Sequence, residues 1–83
     1  MIYIDCKTIE NKQQMHLLLQ EKLGFPQWYG HNLDALMDCL CAMRTDTAVT
    51  LNGFLALGDW KEGFAETFAD AMTENPHLQI TLV

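Results

Sequence analysis

MIYIDCKTIENKQQMHLLLQEKLGFP, residues Met1 to Pro26, sets an extended segment directly before a helical one, and that order decides the fold. Ile2, Tyr3 and Ile4 favour extended backbone, so Met1 to Asp5 reads as a strand, with Lys7-Thr8 beginning a polar connection and Thr8 opening the next element. Lys12 to Leu23 is rich in Gln, Leu, Glu, Lys and Met, all good helix formers, and Gly24 with Pro26 supplies the stop. Met15, Leu18, Leu19 and Leu23 then share one apolar stripe, while Gln13, Gln20 and Glu21 face water.

Past the loop Gly24 to Gly30 the same alternation repeats. Asn32 is placed to cap a second helix running to about Met43, with Asp34 in its first turn, where the positive end of the helix dipole favours a carboxylate. Thr47 to Leu51 is a short strand bounded by Asp46 and by Asn52-Gly53. Phe54 to Leu57 reads as a helical turn. Asp59 is a candidate cap for a helix from Trp60 to about Thr73, which Asn75-Pro76 ends. Leu78 to Val83 alternates Leu78, Ile80 and Leu82 against Gln79 and Thr81, the pattern of a strand with one solvated face. Helical crossovers between all three strands favour parallel pairing, so the expected fold is α/β: a small three-stranded parallel sheet packed with three to four helices. With 83 residues and no repeat or linker, residues 1–83 are expected to form a single domain.

Composition narrows the function classes. Eleven acidic against five basic side chains give a net charge of −6, and Arg44 is the only arginine, so no basic stripe exists to neutralise phosphates. A cationic partner suits this chain better than direct contact with nucleic acid. The chain has no serine, which removes a Ser-His-Asp hydrolase, and none of its five glycines builds a phosphate loop. The first residues lack the basic and apolar run of an export signal, and no stretch is long enough to span a membrane. Together with the odd cysteine count (Cys6, Cys39, Cys41), this makes reduced thiols in the cytoplasm the expectation.

The chemistry concentrates in Tyr29-Gly30-His31-Asn32-Leu33-Asp34-Ala35-Leu36-Met37-Asp38-Cys39-Leu40. At about 100° per residue, Leu33, Leu36, Leu40 and Met43 gather on a core-facing side, whereas Asp34 and Asp38 lie together on the opposite side. Met37 borders the acids, Cys41 projects near them, and no Lys or Arg stands at helical spacing to pair with them. The repulsion between two such carboxylates is only about 0.2–0.5 kcal/mol. Two acids on a helix are usually a solvated face, and Asp34 has a ready use in the dipole. Asp38, a turn further on, gains little there.

The run Tyr-Gly-x-Asn-Leu-Asp-Ala-Leu-x-Asp-Cys-Leu, preceded by Pro-x-aromatic, resembles the barstar family of intracellular inhibitors of barnase-like ribonucleases. The close match spans about Phe25 to Leu40, and chain length, element order and the closing Ile-Thr-Leu-Val also fit. The resemblance implies a non-catalytic inhibitor, one-to-one with a basic secreted ribonuclease, in which an acidic helix and the aromatic loop before it imitate RNA phosphates and need no cofactor. By position Asp38 matches the family's central acid, to be held by the nuclease's arginines and histidine, and Asp34 a second contact. Trp28 stands at a packing aromatic with Tyr29 and Asn32 beside it. Asp70 is the best counterpart of a further acidic contact, with Glu74 the fallback. Met37 and Met43 depart from the family's tryptophans and Ala42 from its glycine, which opens the alternative of an immunity or adaptor module on the same scaffold, bound to a different toxin or basic protein. Met37 can still pack against a partner, and Cys41 is expected to lie close to one.

Three further features give weaker signals. Cys39 and Cys41 are about 200° apart on a helix and do not share a metal ion, so Cys39 is expected in the core. His16, His31 and His77 have no ligand spacing. Asp34, Asp38 and His31 can be imagined as an acid–base set, but no oxyanion donor accompanies them, and an enzyme is not expected.

Overall fold

A computed structural model describes residues 1–83. The elements run β1 (Ile2–Asp5), α1 (Lys12–Leu23), α2 (Leu33–Cys41), β2 (Thr47–Asn52), a 3-10 turn at Phe54–Ala56, α3 (Lys61–Glu74) and β3 (Leu78–Leu82). The strands form one sheet in the order β1-β2-β3, all parallel, with β2 in the centre. Registry places Ile4 opposite Leu51, and Val49 between Ile2 and Ile80. The architecture is the small α/β layer that the alternation of strands and helices requires.

The period of two divides the sheet into unlike faces. Ile4, Val49, Leu51, Leu78 and Ile80 point into the core, whereas Tyr3, Gln79 and Thr81 are exposed on the other side. Against the inner face pack Met15 and Leu19 from α1, Leu36 and Leu40 from α2, Phe54, and Phe64, Phe68 and Ala71 from α3, all nearly or wholly buried. Each large side chain so placed stabilises by roughly 1.5–3 kcal/mol before entropy is counted. Glycine is required where β2 turns into the 3-10 segment: Gly53 has φ 83°, and a Cβ there would sit 3.1 Å from Lys7 Cγ.

Several boundaries differ from the sequence reading, each for a local reason. Asn11, not Thr8, begins α1: its Oδ1 accepts from the Gln14 amide at 2.9 Å, and Gln14 Oε1 reaches back to the Glu10 amide. The second helix stops at Cys41, short of Met43, because the side-chain amide of buried Asn75 donates to the carbonyls of both Leu40 (2.8 Å) and Met43 (2.9 Å). Asp59 makes no side-chain cap. The α3 start is instead satisfied by the backbone carbonyls of Gly58 and Asp59, with Trp60 at the cap position, its ring edge-on to Phe64. Leu33 and Met43 are half-buried rather than core.

Candidate functional site

The site begins where α1 ends. Gly24 takes a left-handed conformation (φ 70°) and its amide closes on the Gln20 carbonyl, so the chain turns sharply off the helix. The Gln20 side chain, half-buried rather than solvated, donates to the Pro26 carbonyl at 2.8 Å. Tyr29 then folds inward: its ring is 4 % exposed, packs beside Phe25 at 5.0 Å, and its hydroxyl lies 2.6 Å from His16 Nδ1. With Tyr29 anchored inside, Trp28 is left outside at 82 % exposure. The expected grouping of Tyr29 with the surface contacts is corrected here. An alternating loop cannot present both rings, and burial, which drives the Tyr29 hydroxyl away from ionisation, gives it the inner place.

Two polar residues carry the loop into α2. His31 adopts φ 49°, a left-handed conformation costing a non-glycine residue about 1–3 kcal/mol, and its ring nitrogens meet Gln13 Nε2 at 3.0 Å and Gln20 Oε1 at 2.8 Å. Asn32 caps the helix, its Oδ1 accepting from the Ala35 amide at 2.8 Å while Nδ2 donates to the Gly30 carbonyl. The start of α2 is therefore fixed from both sides. Asp34 and Asp38 follow one turn apart, both exposed. Neither is paired: the ion pairs of the molecule are Lys61 with Glu62 and His77 with Asp46.

Beside Asp38 the loop and α2 enclose an open groove of about 710 Å³. Leu23, Phe25 and Pro26 form its apolar floor, Trp28 stands at its edge, and Asp38 with Cys39 provides the helical wall. Cys39 is thus a half-buried groove residue, not a core thiol, and burial ahead of the Asp38 charge raises its pKa. Met43 closes the groove and Met37 is half-buried on α2. Asp34 borders a smaller pocket shared with Lys12, His16 and His31. The groove lining from Phe25 and Pro26 escaped the sequence reading, since a loop has no period to assign a direction.

The third helix completes the surface. It runs alongside α2 in the same direction: Gly63 abuts Leu33 at the start of both helices, and Asn75 joins the end of α2 after the last turn of α3. Exposed Asp70 and Glu74 are one turn apart on α3. Glu74 is close enough to exposed Cys41 to raise its thiol pKa, after burial and ahead of Asp38, so the acid taken as the fallback stands beside the end of α2. No three His, Cys, Asp or Glu side chains are grouped to hold a metal ion.

This geometry meets its relatives at residues 1–75, which match the family described as Barstar (barnase inhibitor). The chain belongs to the barstar family. A Bacillus subtilis (strain 168) protein named "Putative ribonuclease inhibitor YrdF" is 40% identical over 73 residues, covering 88% of this chain and 77% of that protein. The family match takes in the whole loop, α2 and α3 as far as the capping Asn75, so every barstar element that borders the groove lies inside it.

Proposed function

We propose that this chain is a barstar-type ribonuclease inhibitor that blocks the active site of a barnase-like enzyme in a one-to-one complex, acting in the cytoplasm as a single unit over residues 1–83. The observation that carries the reading is the pair Asp34 and Asp38 on a capped helix, exposed and without a basic partner, beside a groove edged by exposed Trp28. A ribonuclease site holds RNA phosphates with Arg, Lys and His. Carboxylates held on a rigid helix occupy phosphate positions there and offer no bond to cleave. In this arrangement Asp38 takes the central cations and a nuclease side chain enters the adjoining groove. Asp34, Asn32, Met37, Cys41 and Asp70 form the surround, with Glu74 added to it. Tyr29 supports the loop from within. The chain inhibits and does not itself catalyse.

An RNA-degradation assay with barnase, with and without an equimolar amount of this chain, tests the proposal. Full protection is expected. Unprotected RNA, together with a stable complex formed with a basic protein lacking nuclease activity, would favour the alternative of an immunity or adaptor module, to which Met37 and Met43 point because they stand where the family has tryptophans.

A further inference from the structure

We propose that His31 is a positioning residue that latches the Trp28–Asn32 segment onto α1 only while its ring is uncharged, so that the inhibitory surface comes loose on acidification. The inference rests on the function proposed above for its consequence, but the latch itself is read from the free molecule. His31 bridges two α1 side chains: its Nε2 meets Gln20 Oε1, an acceptor, so that nitrogen carries the hydrogen, and its Nδ1 meets Gln13 Nε2, a donor, so that nitrogen must hold a free lone pair. Only the neutral Nε2–H ring satisfies both. Adding a proton at Nδ1 puts a hydrogen against the Gln13 amide hydrogen and breaks that link. The amide orientation follows from this network and from Gln20 Nε2 donating to the Pro26 carbonyl.

The surroundings work against a charge in the same place. The His16 ring is 3 % exposed and stacks on His31, centroids 6.1 Å apart and 7° from parallel. The Tyr29 ring stands edge-on to His31 at 5.2 Å and is bonded to His16. Of the charged groups bordering the pocket of these rings, α1 presents Lys12 and α2 presents Asp34, while α3 presents uncharged Phe64 against His16. A second cation thus meets Lys12 and an imidazole neighbour, with Asp34 as the opposing charge. The left-handed backbone at His31 removes any independent preference for this loop geometry. Losing the Gln13 link therefore frees the residue directly before the α2 cap, and with it the orientation of Trp28 and Asp34.

The test uses amide NMR spectra of the free, full-length protein from about pH 8 to about pH 5, a range that spans ordinary imidazole titration. The parent is compared with Gln13→Glu and His31→Asn, and far-UV circular dichroism verifies that each remains helical. The parent's Trp28–Asn32 signals are expected to shift or broaden in one acid transition. Gln13→Glu supplies a carboxylate that accepts from a protonated Nδ1, so its loop signals should hold through that range. His31→Asn keeps the left-handed preference without a titrating ring, and its loop should be displaced at every pH. A transition of equal size in the parent and in either variant would overturn the latch. Barnase affinity, taken as the ratio of parent to Gln13→Glu to cancel the nuclease's own titration, should fall by about tenfold between the two pH values, since apparent affinity scales with the competent fraction. An unchanged ratio would overturn the coupling of latch to surface. Failure to bind barnase at any pH would instead defeat the proposed function, and the loop spectra of the free protein would still decide the latch.

Discussion

Asp38 stands on a surface that offers it no cation, so its charge is available to a partner. Replacing it with alanine is expected to leave thermal unfolding nearly unchanged, because the side chain is exposed, but to weaken barnase binding by about 2–5 kcal/mol in calorimetry, the usual scale for truncating one member of a buried interfacial charge pair. Barnase with barstar is itself a reference system for charge couplings of this kind, so the figure is the family's own magnitude carried over to this chain. His16 yields a different kind of prediction. Burial first, then His31 and Lys12, hold its pKa below the ordinary 6.5. Between the folded value and 6.5 the unfolded chain binds more protons than the folded one, so the contribution of a neutral His16 is fully present above about pH 6.5 and is lost as pH falls through that window. Urea midpoints should decline over this range, and a level profile would contradict the assignment. The thiols separate in the same way. Cys6 is buried with its pKa pushed up to about 11, by burial and then by Asp5, so iodoacetamide at neutral pH should label exposed Cys41 slowly and Cys6 only after unfolding, as read by mass spectrometry.

At the scale of elements, two asparagines hold α2 between them. Asn32 caps its start and links it to the Gly30 carbonyl, so Asn32→Ala should lower stability by about 0.5–2 kcal/mol, whereas Asn32→Asp, an equally good cap, should restore most of it. Equal losses in both variants would show that the Gly30 link, not the cap, matters. Asn75 is 4 % exposed and occupies the other end, where it donates to Leu40 and Met43 and accepts from the His77 amide. Asn75→Ala strands these groups and should cost about 2–3 kcal/mol in denaturant unfolding, since each buried polar group left unpaired costs about 1–3 kcal/mol. Its position in sequence gives no hint of this: Asn75 reads as a helix stop for α3, and its contact with Leu40 crosses 35 residues.

For the whole molecule, the net charge of −6 and the uncompensated acids of α2 and α3 predict steered association with a basic nuclease. Stopped-flow on-rates should fall as salt rises toward and beyond the level at which screening acts within about 8 Å, and a flat response would count against charge mimicry. The open outer face of the sheet, the parallel registry and the bounds of α1 were all legible in the chain, because strand alternation and helix composition are local signals that tertiary packing reinforced. The spacing of Asp34 and Asp38 was legible for the same reason: four residues on a helix make one face in any fold. Which loop ring turns inward was not. Tyr29 and Trp28 are adjacent aromatics of similar propensity, and only the partner at a distance, His16 with its buried ring nitrogen, selects Tyr29 for the interior and leaves Trp28 at the groove edge. Cys39 and Gln20 likewise owe their half-buried places to the loop folded over them. The amino-acid order by itself determined the strands, the helices and the acidic face, since each depends on neighbours a few positions away. The groove, the latch and the end of α2 were decided by contacts between segments far apart in the chain, and those exist only once hydrophobic burial has brought the segments together.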